Sequence, residues 1–328
     1  MHIAVAGSVA TDHLMTFQGK FADSLVPDQL DKLALSFLVD DLDIRRGGCG
    51  ANIAFGLAAL GHKPVLVAAV GADFDDLGYR DWLVKSGVDC GHLYVSPTLH
   101  TARCTITTDD AHAQIVTFYA GAMGDARKID LAELNDSIGG FDLVLIGPDD
   151  PEGMLRHTQV CRDKGLPFAA DPSQQLAWAD GDMIRQLIDG AAYLFSNDYE
   201  AALIEQKTGW TTAEVQSHVD TRVVTHGAAG VKVYPADGSE ISVSAIEGII
   251  AIDPTGVGDS FRAGFLAAVA ADLSLERAAQ VGCTIAASVV ETKGTQEYDL
   301  TRDGFLKRFA GAYGDDAATE VGASLRLG

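Results

Sequence analysis

The sequence predicts an α/β fold: a mostly parallel sheet with helices on both faces. Two observations carry this. From Leu131 onward, short apolar runs closed by glycine, Asp-Pro or Asn-Asp alternate with longer segments of helical period. A glycine turn that opens an apolar helix occurs twice, at Gly47-Gly48 and at Gly256-Val257-Gly258.

Taken in order, His2 to Gly7 is a buried strand, and Asp12 follows where open α/β sheets bind ligands. Phe17 to Leu35 is an irregular connection with helical potential over Pro27 to Leu33. Leu35 to Ile44 has β character and ends at Arg45-Arg46-Gly47-Gly48. The helix Asn52 to Leu60 stops at Gly61, and Pro64 to Val70 is a strand followed by the helix Asp76 to Ser86. Thr101 to Tyr119 alternates in two arms around Asp109-Asp110-Ala111-His112, a hairpin that with Leu35 to Ile44 forms a small separate sheet. Phe141 to Ile146, Phe168 to Ala170, Tyr193 to Ser196 and Val223 to Thr225 are strands. Helices are expected over Pro151 to Lys164, Met183 to Ile188 and Asp198 to Lys207. A hairpin around Asp237-Gly238 precedes the helix at Asp259, then helices Leu275 to Glu291 and Leu300 to Ala312 and a mobile tail. No linker splits the chain, so residues 1–328 are expected to form a single domain.

Composition narrows the function. A hydrophobic fraction of 47% excludes disorder, and no apolar run reaches the ~18 residues a membrane span needs. The net charge of −22 argues against nucleic acid as a partner. A small phosphorylated ligand is still admissible, since amides, a few basic groups and Mg²⁺ hold phosphate locally. Five cysteines without C-x-x-C spacing, and no basic leader, fit reduced thiols in the cytoplasm. There is no H-E-x-x-H, no G-x-x-x-x-G-K-[ST] and no strand followed by G-x-G-x-x-G, which disfavours a zinc hydrolase, a P-loop enzyme and a Rossmann dehydrogenase.

Four constellations carry chemistry. In Asp253 to Leu266, the amides of Gly256, Val257 and Gly258 open a helix and attract an anion. Asp259, on the first turn, either takes a proton from a hydroxyl or merely compensates the dipole. Arg262, three positions on, either pairs with Asp259 or faces phosphate. Gly47-Gly48 with Asn52 is either a hinge and a ligand contact or a turn with a cap. Asn197-Asp198-Tyr199-Glu200 starts a helix directly after a strand, and Thr225 to Gly230 is a glycine turn after another.

These strings, in this order, resemble the signatures of the ribokinase-like carbohydrate and nucleoside kinases, the PfkB family. Pro254 stands where that family commonly has threonine, and Val257 where it has alanine. The resemblance implies a ribokinase-like fold whose β-sheet lid comes from segments around residues 10–46 and 98–120. It implies ATP as phosphoryl donor, Asp259 as base, and the amides of Gly256, Val257 and Gly258 as anion hole. Ser8, Asp12, Gly48 and Asn52 would hold a sugar. Asn197, Thr225, Gly227, Gly230, Thr255, Gly256 and Gly258 would contact ATP, with Mg²⁺ held through water by Asn197 and Glu200. K⁺ would act as activator near Asp253 and Ser288 to Gly294.

The strings LSFLVDDL, ADPSQQLA and SNDYE are similar to those of actinobacterial adenosine kinases, implying adenosine as acceptor. Ser36, Phe37, Phe118, Gln174 and Gln175 are then candidates for the nucleoside slot, with Cys104 on a lid strand where relatives carry an aromatic. A sugar kinase or another nucleoside kinase of the family is the alternative. Apolar residues on both lid arms lead to the expectation of a homodimer through the lids.

Overall fold

The computed structural model describes residues 1–25 and 36–327, so the expected helix Pro27 to Leu33 lies outside the described residues. Fourteen strands are seen among them: β1 (Ile3–Ala6), β2 (Ala10–Phe17), β3 (Asp41–Gly47), β4 (Val65–Val67), β5 (Ala69–Gly71), β6 (Tyr94–Ser96) and β7 (Ala102–Asp109). The rest are β8 (Gln114–Tyr119), β9 (Leu143–Ile146), β10 (Phe168–Ala170), β11 (Ala191–Asn197), β12 (Val219–Thr225), β13 (Val231–Pro235) and β14 (Ile241–Val243).

The main sheet runs β14-β13-β12-β11-β10-β9-β1-β4, parallel except for the terminal hairpin β13-β14. β1, β4 and β9 are buried throughout, as continuous apolar runs such as Ile3–Ala6 and Leu143–Ile146 require when helices cover both faces. The chain steps from β1 out to β4 and later returns to β9 on the other side of β1. That reversal opens a crevice beyond the carboxyl ends of β1 and β9, where such sheets take ligands.

The lid is the four-stranded sheet β3-β2-β7-β8. Its inner strand β2 falls within the 10–46 segment expected to supply the lid, although no strand is assigned to Ala10–Phe17 from the sequence, and it pairs with β3 and β7 along its length. β3 starts at Asp41 and carries Arg45, Arg46 and Gly47 inside it, rather than running from Leu35 and ending before the arginines. It is an edge strand, and its charged residues suit an edge that must not pair further. Arg45, Asp12, Cys104 and Phe118 are cross-strand partners in one row, so they share a face; Leu42, Met15, Thr107 and Ile115 form a row on the opposite face.

Smaller departures have local causes. Pro64 to Val70 divides into β4 and β5, and the helix expected from Asp76 starts at Tyr79 because Gly78 takes a left-handed φ of 64°. The tail, expected to be mobile, forms the helix Asp315–Ser324, which buries Ala317, Ala318 and Val321. Among the described residues no helix is long and apolar enough to cross a membrane.

Three helices fix the site: Cys49–Ala59, Val257–Ala270 and Leu275–Val290. The last two cross so closely that a Cβ on Gly264 would lie 2.7 Å from Ile285 Cγ2 and 2.8 Å from Gly282 Cα. Alanine in a helix ordinarily gains up to about 1 kcal/mol over glycine, whereas overpacking costs about 1–3 kcal/mol. Gly264→Ala is therefore expected to destabilise the protein, seen as a lower urea midpoint at unchanged slope; a raised midpoint would remove close crossing as the constraint.

Candidate active site

Asp253 shapes the turn before the central helix. Its Oδ1 accepts the Thr255 N–H at 2.9 Å and its Oδ2 the Gly294 N–H at 3.0 Å. Gly256 then takes φ 76°, and a Cβ there would meet the Thr295 side chain at 2.9 Å, so glycine is needed twice over. The helix Val257–Ala270 starts directly after it, and its first-turn amides are left free of intrahelical acceptors.

Asp259 sits half-buried on that turn. Asn52 Nδ2 donates to its Oδ2 at 2.8 Å, and the Cys49 thiol donates to the same carboxyl. Burial pushes the Asp259 carboxyl up, while the Asn52 hydrogen bond, the Arg262 charge and Cys49 pull it down. Asp12 approaches from the lid, and burial, then the like charges of Asp253, Asp259 and Glu297, push its carboxyl up to about 6. Gly47 is glycine for this reason: a Cβ there would stand 2.5 Å from Asp12 Oδ2.

Arg262 lines the cavity, but its charge is taken by Asp171 rather than by Asp259. It forks onto Asp171 at the end of β10, Nη2 donating to Oδ1 at 2.7 Å and Nε lying 2.5 Å from Oδ2. Nη1 donates to the Gly258 carbonyl at 3.1 Å, and Nη2 lies 3.8 Å from Glu200. An arginine inside the apolar run Phe261 to Leu266 was the signal that could have revealed a buried partner.

Asn197 and Glu200 form a reciprocal capping box, each accepting the other's N–H at 2.8 Å. Their other edge nevertheless faces a cavity of ≈ 600 Å³, which Thr225, Gly227, Gly230, Gly256, Gly258 and Asp259 also line. Val257 lines it too, whereas Thr255 does not. The opposite wall is apolar and was missed from sequence. Ile246 and Ile249 face Cys283, Ala286, Ala287 and Val290, small residues at i, i+3, i+4 and i+7 on one helix face.

On the lid side, Ser8 is buried at the switch point, its Oγ accepting the Cys49 N–H at 3.2 Å beside Gly48. Gln174 Nε2 reaches Cys49 Sγ at 3.3 Å, in the cleft, but Gln175 Nε2 is spent on the Asp149 carbonyl at 2.8 Å. Phe118 is 54% exposed in the row of Asp12. Phe37 is not brought there: it packs on Phe17 and Phe21 with centroids 5.1 and 5.2 Å away, and Phe17 is an odd step from Asp12 on β2. Ser36 is exposed next to the undescribed residues. The stretch assigned to K⁺ is held by hydrogen bonds. Both Asp253 oxygens accept amides, the Val290 carbonyl accepts two more, and Arg45 Nη1 donates to the Lys293 carbonyl at 2.6 Å.

First-turn amides, a carboxylate beside them, an apolar cavity wall and a lid row carrying Asp12 are the kinds of parts that phosphoryl transfer uses. Residues 9–302 match the pfkB family carbohydrate kinase pattern. A nucleoside kinase of Methanocaldococcus jannaschii is 32% identical over 80% of this chain and 84% of its own. A ribokinase of Haemophilus influenzae is 26% identical over 93% and 97%. The structure of a Burkholderia thailandensis nucleoside kinase in complex with inosine superposes with a TM-score of 0.82, at 34% identity, covering 95% of this chain and 98% of that one. The chain belongs to the PfkB family of carbohydrate kinases and is an ATP-dependent phosphotransferase.

Proposed function

We propose that the chain is a nucleoside kinase that moves the ATP γ-phosphoryl group to the 5′-hydroxyl of a purine nucleoside, adenosine first among them. The observation that carries this is the position of Asp259, hydrogen-bonded to Asn52, between the ≈ 600 Å³ cavity and the lid row of Asp12 and Phe118. ATP would lay its base against Ile246, Ile249 and Val290 and run its phosphates toward Gly256 and Gly258. Asp12 and the second hydrogen of Asn52 Nδ2 would take ribose hydroxyls, with Gln174 and Phe118 meeting the base. Asp259 would then remove the 5′-hydroxyl proton, and the first-turn amides would stabilise charge on the transferring group. Among the described residues no three acidic, histidine or cysteine side chains cluster as a metal cage. Glu200 and Asn197, tied up in their capping box, therefore suit Mg²⁺ only through water. When bound, Mg²⁺ would neutralise phosphate charge. A single relative's inosine complex makes inosine the second acceptor to assay.

The wild-type protein is expected to release ADP with adenosine or inosine and far less with ribose. Asp259→Asn should bind nucleoside normally and lose about 10²–10⁴ in kcat, the contribution of a positioned base. Turnover above about a tenth of wild type would remove Asp259 as the base.

Asp12 carries a cost that reveals its purpose. Its folded pKa is raised from 3.8 to about 6, so the folded state holds a proton that the unfolded chain has released within that window. Stability therefore falls as pH rises through it. Asp12→Asn should raise Tm at about pH 8, show no gain below about pH 4, and weaken nucleoside binding. A Tm gain that persists at low pH would mean that charge is not the cause.

The face of the lid turned away from Asp12 exposes Leu42, Ile44, Ile115 and Tyr119. A second copy packed on it would make a homodimer through the lids. Sedimentation should give twice the 34.5 kDa chain mass, and Leu42→Glu should return it to the monomer; a wild-type monomer would end this reading.

A further inference from the structure

Behind Asn52 and out of the cleft lies Gln296, 0% exposed, in the loop between the helices Leu275–Val290 and Arg302–Tyr313. Its partners settle which end of the amide is which. Trp82 Nε1, a donor only, donates to Gln296 Oε1 at 3.2 Å. Gln296 Nε2 accordingly faces the other way and donates to Asn52 Oδ1 at 2.9 Å and to the Tyr79 hydroxyl at 2.6 Å. Tyr79 is free to accept because its own proton goes to the Gly47 carbonyl at 2.9 Å. Asn52 Oδ1 is thus committed as an acceptor, and Nδ2 must turn toward Asp259. An amide that geometry alone leaves ambiguous is fixed by a row of donors running from an indole to a carboxylate.

We propose that Gln296 is a positioning residue for phosphoryl transfer: by fixing the Asn52 amide it keeps a donor, not an acceptor, against Asp259 Oδ2, so that the carboxylate stays charged for the incoming hydroxyl. This rests on Asp259 being the base. A reversed Asn52 amide would set its Oδ1 against Asp259 Oδ2, and two acceptors in contact repel until the carboxyl takes up a proton and ceases to be a base. The loop also grips the junction of lid and core. Thr295 Oγ1 donates to the Arg46 carbonyl at 2.9 Å, and Tyr79 links Gln296 to Gly47. One buried anchor therefore serves both the last residues of β3 and the reacting carboxylate.

Gln296→Glu and Gln296→Met separate positioning from plain support. The first keeps shape and an acceptor for Trp82, and in its ionised form offers Asn52 only acceptor oxygens and so forces the amide to reverse. The second removes all three hydrogen bonds yet leaves Asn52 free to face Asp259. Positioning predicts that Gln296→Glu loses at least about tenfold more kcat than Gln296→Met, as for a hydrogen bond to a charged group. Its acid limb of kcat should also move to higher pH, while KM for ATP stays within about twofold in both. The other groups facing Asp259, namely Cys49, Arg262, Asp171, Glu200, Asp12 and Tyr298, are the same in both variants, but the carboxylate that Gln296→Glu adds also repels Asp259, so the limb counts only together with the tenfold kcat difference. A supporting role alone predicts the opposite order, with Gln296→Met at least as damaged in kcat and Tm; that result overturns the proposal. Wild-type kcat in Gln296→Met overturns it as well, even if Gln296→Glu does not fold. Asp259→Asn assayed alongside keeps the two readings apart. Retained turnover there removes the base, whereas lost turnover with equal Gln296 variants removes only the positioning role.

Discussion

A buried guanidinium holds the reaction centre together. Arg262 leaves the second turn of the central helix, forks onto Asp171 at the end of β10 and returns a hydrogen bond to the Gly258 carbonyl. It thereby pins the start of one helix to the end of a sheet strand, at the place where bare amides must keep a fixed spacing. Breaking such a pair by removing one partner costs about 3–5 kcal/mol, because the other charge stays buried and alone. Arg262 is also the only positive side chain among the described residues lining the cavity, and Asp171 already neutralises it. The carboxylates that meet over the crevice, Asp12, Asp253 and Asp259, repel one another, and Asp12, already pushed up by burial, is pushed further by the other two.

Much of this was legible in the sequence, for identifiable reasons. Motifs whose glycines serve the backbone declare themselves locally: Gly256 needs its positive φ whatever packs around it, and the strand before a glycine turn is apolar on both faces. Partners far apart in the chain did not declare themselves. Arg262 and Asp171 are 91 positions apart, and Gln296 and Asn52 are 244 apart, so no window of the sequence contains either pair. β2 has no strand assigned locally because Ala10–Phe17 pairs on both sides with distant strands; only the family resemblance puts it in the lid.

The period of two in a strand decides the lid residues. Asp12 and Phe17 lie on one strand an odd number of steps apart, which sends Phe17, and Phe37 with it, to the far side from the crevice. Phe118 keeps its place because it is two strands from Asp12 in the same row, with Cys104 between them. A thiol leaves more room beside Phe118 than an aromatic ring would, so the lid face there is open on one edge.

The overall charge of −22 gives this arrangement its last constraint. A free polyphosphate nearing so acidic a surface is repelled, and the cavity offers it no unpaired cation among the described residues. Attraction must come from short-range sources: oriented first-turn amides, the positive end of a 14-residue helix, and whatever divalent ion the nucleotide brings. Such forces decay within a few ångströms, so they reward only a phosphate already seated against Gly256 and Gly258. Discrimination is thereby moved from encounter to fit. On the proposed placement, an anion without a base to fill the apolar wall of Ile246, Ile249 and Val290 would have nothing to offset the long-range repulsion, whereas a nucleotide would gain that burial.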